Sequence, residues 1–435
     1  MMRMKTLFAA ATLLGASFLP VHAQGTDVGF TIPTQEEVEA FKEARRTHAL
    51  GDRLARAVVE AFELYEAEDI PGAITVLEEV EPRTDYERAY VNRFLGTMYA
   101  ALPEEQAQPE KALEMLQEAV GYDMLSFADQ SASLQLLGNL QLQEERYEDS
   151  LQTMQTYLQF TGEWDADILF RMAAAHMELK NFDSVVAFAR KANEHYAEPN
   201  RNPYVLMVGA YYEQNDIPNA IGVLEDGINA IPSETRWWSQ LGAFYALNEQ
   251  NDKALQTLAI AYDAGYLERS SDFRYLVQMF SNARIPYHAA TVMTRHLESG
   301  DIDESQSNWA SAARSYYTAR EFEQAAETYS KAIELAEDTQ DRVGYYRAQG
   351  DAYALAEEYR NAARSFQAAL DLGPEDDSTT GRIYMSLAEA HFYSRQYRQA
   401  LNAMENATRY SATRRNAESW IGFIRQTASN RGVDL

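Results

Sequence analysis

The fold is decided by the stretch Arg342–Asp376, which reads RVGYYRAQGDAYALAEEYRNAARSFQAALDLGPED. Small, aromatic and proline residues recur in it at fixed places. Counted with Val343 as position 1, positions 4, 8, 11, 20, 24, 27 and 32 are held by Tyr346, Gly350, Tyr353, Ala362, Phe366, Ala369 and Pro374. No alternation of polar and apolar residues, which would be typical of a strand, competes with this helical spacing.

The spacing has a direct physical interpretation as a pair of helices, A and B. Small residues at positions 8 and 20 let the two helices approach closely. Large residues at positions 4, 11 and 24 fill the seam between neighbouring pairs, and the proline ends helix B because it cannot continue a helix. The same arrangement is the signature of the tetratricopeptide repeat (TPR), whose period is about 34 residues.

Further copies of the pattern run along the chain, most clearly around Trp238 and Trp309, and the second copy carries an insertion around Pro103 and Pro109. The residues at position 20 of successive copies are separated by approximately the repeat period. They are Ala73, Ala112, Ser150, Val185, Ala220, Ala254, Ala289, Ala325, Ala362 and Ala400. We therefore predict an all-α fold, a TPR superhelical solenoid of about ten helix pairs plus a C-terminal capping helix.

These boundaries divide the chain into four predicted segments. They are a signal peptide over 1–23, a flexible leader over 24–33, the TPR solenoid over 34–410, and a capping helix with its tail over 411–435. Two local patterns mark helix starts: Thr34 with Glu37 forms a capping box, and Asn202 with Pro203 is typical of an N-cap followed by the first helical residue.

The predicted signal peptide rests on three features in chain order. Arg3 and Lys5 form a short basic region, residues 7–19 are an apolar run too short to span a bilayer, and residues 21–23 fit a signal-peptidase site. We predict that the chain is secreted into the periplasm through a cleaved signal peptide, because the signal has the bacterial form.

The composition excludes several classes of partner and site. Lys plus Arg number 38 against 66 Asp plus Glu, which gives a formal charge of −28. Such an acidic chain repels phosphate backbones and anionic membrane surfaces, so we expect no binding to nucleic acid. We also expect no membrane insertion after residue 23, because no later stretch reaches the roughly 18 uninterrupted apolar residues of a spanning helix. There is no cysteine, so disulfides and thiolate chemistry are excluded.

The sequence shows no recognisable motif for catalysis, phosphate binding or metal binding. Phosphate-binding glycine loops and the HExxH and GxSxG patterns are missing. His288 and His296 lie about two helical turns apart, too far to ligate one metal without a third group. The Asp301–Ser307 cluster lacks the glycine and the final glutamate of a calcium loop and is better explained as a helix cap. We expect no enzyme activity, no metal and no cofactor.

The predicted binding surface consists of helix A residues at positions 2, 5, 9 and 12, which point into the concave groove of a TPR array. Five successive repeats each place one arginine there, a local reversal of charge in an acidic chain. The candidates are Tyr212, Arg236, Arg274, Gln278, Arg314, Tyr317, Arg347 and Arg382. Arginine and tyrosine favour protein binding. The alternative is that each arginine pairs with a glutamate on a neighbouring helix, since exposed ion pairs are common.

Several longer segments resemble one family of TPR proteins. The most specific is RWWSQLGAFYALNEQNDKALQTLAIAYDAGYL from Arg236, and others begin at Arg45, Asp85, Asn202, Ile285 and Arg414. In this order they resemble the periplasmic TPR proteins associated with TonB, ExbB and ExbD energy-transduction systems. The resemblance implies a protein-binding accessory role in TonB-dependent uptake, with TonB or ExbD periplasmic segments as possible partners.

A second function in the same class remains open from the residues alone. A periplasmic TPR adaptor for outer-membrane or cell-wall assembly would also bind proteins or peptides through helix A surfaces. The two hypotheses differ in the partner and not in the fold, so the genes that neighbour this one would separate them most directly.

Overall fold

A computed structural model of the chain describes residues 27–45 and 48–435, and the predicted signal peptide lies outside these residues. Within the described residues all regular elements are helices, which confirms the predicted all-α fold. One compact unit ends at Pro232 and a second spans Ser233–Leu435. None of the helices in the described part combines the length and the apolarity needed to cross a membrane.

The first unit contains one leading helix and five helix pairs. They are α1 (Gln35–Ala44), α2 (Asp52–Glu66), α3 (Ile70–Glu78), α4 (Asp85–Ala100), α5 (Pro109–Gly121), α6 (Phe127–Gln143), α7 (Tyr147–Thr161), α8 (Ala166–Glu178), α9 (Phe182–His195), α10 (Arg201–Glu213) and α11 (Ile217–Ala230). The insertion predicted in the second pair forms a short 3-10 helix, Glu104–Gln106, and α5 starts late at Pro109.

The second unit contains five further pairs and a closing helix. They are α12 (Arg236–Leu247), α13 (Asn251–Asp263), α14 (Ser270–Asn282), α15 (Pro286–Glu298), α16 (Gln306–Thr318), α17 (Phe322–Leu335), α18 (Thr339–Leu355), α19 (Tyr359–Asp371), α20 (Asp377–Tyr393), α21 (Tyr397–Ala407) and α22 (Arg414–Asn430). The first helix of each pair is helix A and the second is helix B, as the sequence predicts.

Helices A and B of a pair approach closely because the residues between them are small. All ten residues at position 20 are fully buried. Opposite them, a Cβ atom added to Gly350 would lie 2.6 Å from a ring carbon of Phe366, and one added to Gly242 would lie 2.6 Å from Leu258. The large residue at position 24 therefore covers the glycine at position 8 of its own pair, in addition to the predicted seam between pairs.

The turn from helix A to helix B adopts the same conformation in nine of the ten pairs. Its central residue has a positive φ between 57° and 64°, although it is never glycine; these residues are Glu68, Glu145, Lys180, Asn215, Glu249, Arg284, Arg320, Glu357 and Arg395. The next N–H then reaches back to the carbonyl of the fifth residue before it, as Glu358 does to Tyr353 at 2.9 Å. This bond closes the end of helix A.

The structure confirms one of the two predicted helix starts and corrects the other. Thr34 and Glu37 form the predicted capping box, each side chain bonding the other residue's backbone N–H. The start predicted at Asn202 is wrong by two residues: Asn200 is the N-cap of α10, and its side chain accepts from the N–H of Asn202. Either asparagine satisfies the sequence preference, and only the backbone path selects between them.

The N-terminal segment (residues 27–45) packs against the loops that join one pair to the next in the first unit. Phe30 lies against Trp164 and Phe188, with ring centroids 5.5 and 6.3 Å away. Val38 is buried, and Gln35 donates a 2.9 Å hydrogen bond to the carbonyl of Gly162. Residues of the predicted leader thus contribute apolar contacts to this unit, while the flexibility of 24–33 stays a prediction.

The C-terminal end of the same segment is held by polar contacts of Arg45. Arg45 donates through Nε to the carbonyl of Leu125 at 2.6 Å and forms a 2.8 Å ion pair with Asp123. Its guanidinium also lies over the ring of Phe160. The segment therefore contacts the loops after α5 and α7 and the helices α7 and α9, which ties the second, third and fourth pairs together.

Replacing Ala362 with leucine should lower the free energy of unfolding by about 1–3 kcal/mol, because the larger side chain cannot fit between α18 and α19. Amide hydrogen exchange should show the loss of protection concentrated in the last helix pairs, since repeats contact mainly their neighbours. The matched control is Ala368→Leu on the partly exposed side of α19. A uniform loss over all pairs would contradict this prediction.

Replacing Phe30 with alanine should destabilise the first unit by about 1–2 kcal/mol, below the value for a fully buried phenylalanine because its ring is only partly covered. Chemical denaturation gives the free energy, and limited proteolysis should show faster cleavage before α2. Phe62→Ala is the control, since Phe62 is exposed on the same unit. Equal effects of the two substitutions would mean that the segment is not bound as described.

Candidate protein-binding surface

Seven of the eight predicted binding residues lie on helices A of the second unit. They form the helix A surface, defined here by Arg236 on α12, Arg274 and Gln278 on α14, Arg314 and Tyr317 on α16, Arg347 on α18 and Arg382 on α20. Tyr212 lies on α10 in the first unit. The repeat register places these residues at positions 2, 5, 9 and 12 of successive helices A, as the sequence predicts, and their role in binding stays a prediction.

The arginines of the helix A surface are available to a partner. All five side chains are exposed. In the described part of the chain none of them forms a direct ion pair or a side-chain hydrogen bond, although the charge of Arg347 acts on Asp351 and that of Arg382 on Asp376. Partner binding and intramolecular pairing therefore both stay predictions. An exposed guanidinium can grip a carboxylate with two parallel hydrogen bonds.

Position 9 changes from neutral through positive to negative along the second unit. Gln278, Arg314, Asp351 and Glu389 hold it in successive pairs. Burial raises the pKa of Asp351 above its ordinary value, and the nearby Arg347 guanidinium offsets part of the effect. Burial also raises the pKa of Glu389, and the charge of Asp351 raises it further. Two carboxylates therefore sit beside the arginines, at positions that the repeat register predicts to face the groove.

A second feature of the helix A side lies between α12 and α14. A cavity of about 580 Å³ is lined by apolar residues such as Leu247 and by Tyr275. Arg269 at its rim donates to both carboxylate oxygens of Asp272, at 2.9 and 3.1 Å. The groove positions 2, 5, 9 and 12 of helix A do not include Arg269, because it lies just before α14, so the repeat pattern does not predict its role. The only indication of it in the sequence is the spacing of three residues between Arg269 and Asp272.

His296, one of the two histidines that the sequence places two turns apart on α15, has a structural role. His296 is buried, its ring stacks on Phe273 at 3.6 Å, and its Nδ1 and Nε2 lie 2.8 and 3.1 Å from Asp301 and from the hydroxyl of Tyr262. Within the described residues there is no group of three potential metal ligands. These contacts fix the loop after α15.

The cap predicted for the Asp301–Ser307 cluster is confirmed. Ser305 is the N-cap residue of α16, and its hydroxyl accepts a hydrogen bond from the N–H of Asn308 at 3.1 Å. Asn308 also bonds the carbonyl of Asp303. The polar residues of the cluster thus begin the helix that carries Arg314 and Tyr317.

Taken together, the second unit offers a row of exposed cations with tyrosine and carboxylate neighbours on one side of its helices. Tyr317 is 37% exposed and its ring packs edge-on against Phe322, which holds it in place. A flat aromatic ring beside an arginine provides apolar contact and charge to the same ligand. Such an arrangement suits an extended polypeptide segment.

Comparison with known proteins agrees with the repeat pattern. A family model described as the tetratricopeptide repeat matches residues 310–377, which include Arg314, Tyr317 and Arg347. No curated protein matches the sequence.

Among solved structures, the chain is similar to the C-terminal part of a TPR repeat-containing protein from Cytophaga hutchinsonii (13% identity, 56% of this chain and 96% of that chain, TM-score 0.34). It is also similar to the TPR2AB domain of yeast Sti1 in its complex with pHSP90 (17%, 61% and 98%, 0.31) and to MamA from Desulfovibrio magneticus (15%, 40% and 94%, 0.32). The chain thus has the all-α fold of a TPR superhelical solenoid, and its residues 310–377 match the tetratricopeptide repeat.

Proposed function

We propose that this protein is a periplasmic scaffold that binds a partner protein through the helix A surface of its second unit, as an accessory component of a TonB-type outer-membrane uptake system. The periplasmic segments of TonB and ExbD are the proposed partners. Protein binding is the general role of tetratricopeptide repeats, and the choice of system rests on the resemblance of the segments from Arg236 and their neighbours.

The observation that carries the proposal is the row of unpaired arginines. A chain with a formal charge of −28 places five exposed guanidinium groups on one side of successive helices and leaves them without a direct ion pair or a side-chain hydrogen bond among the described residues. An exposed arginine of this kind contributes little to the stability of the fold. Arginine is enriched where proteins bind one another, which accounts for the row.

The proposed location follows from the predicted signal peptide. A signal peptide over residues 1–23 directs export into the periplasm and is removed in the process. The periplasm is oxidising, and a chain without cysteine cannot form incorrect disulfides there. The proposal includes release of the mature protein from the membrane, and the absence of a cysteine that could carry a lipid is consistent with it.

We expect cell fractionation to recover the protein in the periplasmic fraction with an N-terminus close to Gln24. Edman or mass-spectrometric sequencing of the purified protein provides the measurement. A variant with Arg3 and Lys5 replaced by glutamate is the control, because loss of the basic region should leave the chain uncleaved. Recovery of the wild-type chain in membranes with residues 1–23 intact would exclude the proposed location.

Replacing Arg274, Arg314 and Arg347 with glutamate should weaken binding of purified TonB or ExbD periplasmic segments by at least about tenfold, because three attractive charges become repulsive. Biolayer interferometry measures the affinity. Wild-type binding should also weaken as salt rises, since exposed charges farther apart than about 10 Å are screened at 0.1 M.

The matched control changes the same charges elsewhere on the same unit. Arg284, Arg320 and Arg395 are exposed and occupy A-to-B turns, where Glu249 and Glu357 show that glutamate adopts the required backbone conformation. The triple glutamate variant of these turn residues should bind like wild type. Normal binding by the helix A variant would refute the proposed surface, and binding only to outer-membrane assembly proteins would assign the chain to the adaptor class.

A further inference from the structure

A pocket of about 420 Å³ opens on the helix A side of the second unit, between the last three helix pairs. This volume falls in the range of about 300–1,000 Å³ that is usual for ligand sites. Its walls combine aromatic, aliphatic and acidic side chains, the principal ones being Tyr317, Asp351, Leu355, Tyr359, Glu389 and Tyr393. The mixture distinguishes this pocket from the cavity beside Arg269, where the acidic residue is already paired.

The two carboxylates of the pocket have no protein partner. Neither Asp351 nor Glu389 makes an ion pair or a side-chain hydrogen bond with any described residue. Arg347 lies one helical turn before Asp351, but its side chain is exposed and does not line the pocket. Burial of the two carboxylates is unfavourable, and the charge of Arg347 offsets only part of it at Asp351, so an entering positive charge would stabilise both.

The tyrosines provide the second half of a cation site. Tyr359 and Tyr393 stack with ring centroids 5.1 Å apart, and Tyr393 remains 53% exposed at the pocket mouth. Tyr317 forms part of the wall on the side of α16. The faces of such rings attract ammonium and guanidinium groups that lie within about 6 Å, and Leu355 offers an apolar surface to the methylene stem.

We infer that this pocket receives the side chain of a lysine or arginine from an extended segment of the partner protein. The inference rests on the proposed function and deepens it, since the same helices also carry Arg314 and Arg347. Those arginines would contact acidic residues of the same segment. The surface therefore selects a segment in which a basic residue is flanked by acidic ones.

The choice of occupant follows from the chemistry of the walls. A bound metal ion would need further oxygen or nitrogen ligands, and the described residues include no group of three potential ligands. An aliphatic side chain would leave both carboxylates buried without a counter-charge, which is costly. A long cationic side chain can pair with the carboxylates, lie against the tyrosine rings and place its methylene stem on the aliphatic wall.

The test uses four pools of seven-residue peptides that differ only at the central residue, which is lysine, arginine, norleucine or glutamate, with the other positions mixed from serine, alanine, aspartate and glutamate. Fluorescence anisotropy measures their binding to the full protein. We expect the lysine and arginine pools to bind at least about tenfold more tightly than the norleucine pool, which has a similar stem without the charge.

The variant Asp351→Asn with Glu389→Gln should remove this preference while it keeps the shape of the pocket. The matched control, Glu323→Gln with Glu327→Gln, neutralises two exposed carboxylates on α17 outside the pocket and should leave the preference unchanged. Tyr393→Leu is an independent variant that should reduce the preference by removing a ring face, and circular dichroism verifies that each variant is folded.

Two results would overturn the inference. One is equal binding of the lysine, arginine and norleucine pools by the wild-type protein, and the other is a preserved preference in the folded double variant. Binding of free cadaverine as tightly as the lysine pool would also overturn it, because the pocket would then be a site for small diamines. Absence of binding by every pool counts against the pocket alone, since the arginine variants test the proposed function separately.

Discussion

The structure depends on one steric constraint, the close approach of the two helices in each pair. Position 20 is fully buried in all ten pairs and is alanine in eight of them. Where position 8 is glycine, a large residue from helix B fills the space that a side chain would have occupied, as Phe366 does over Gly350. The pair is thus a closely packed unit, and its remaining apolar surface is left to bind the next pair.

The recurring turn between helices A and B keeps this packing in register. Its positive φ is unfavourable for residues other than glycine, by about 1–2 kcal/mol. The chain nevertheless places charged residues there in eight pairs, among them Arg320 and Glu357. The backbone hydrogen bonds across the turn and the buried contacts on either side hold the conformation, so the residue is free to be polar and exposed. The result is an ordered edge of polar, mostly charged residues along each unit.

The same register organises the functional surface. Equivalent positions of successive pairs lie beside one another, so that Arg314, Asp351 and Glu389 form a row although they are far apart in the sequence. The row joins exposed cations to partly buried carboxylates over the span of three helices. Recognition by such a surface depends on the order of charges in the bound segment, because a displacement by one repeat would bring like charges together.

The sequence by itself determined the number of helix pairs, the small residues between them and the exposure of the predicted arginines, because each follows from a period that can be read locally. It also predicted that Asp351 and Glu389 face the groove, but not that they share a pocket with three tyrosines. Only the tertiary structure decided that, since the packing of α20 beside α18 sets how deeply each carboxylate is covered. The position of the N-terminal segment was likewise decided by the fold, because Phe30 and Val38 belong to no repeat and their partners lie over a hundred residues away.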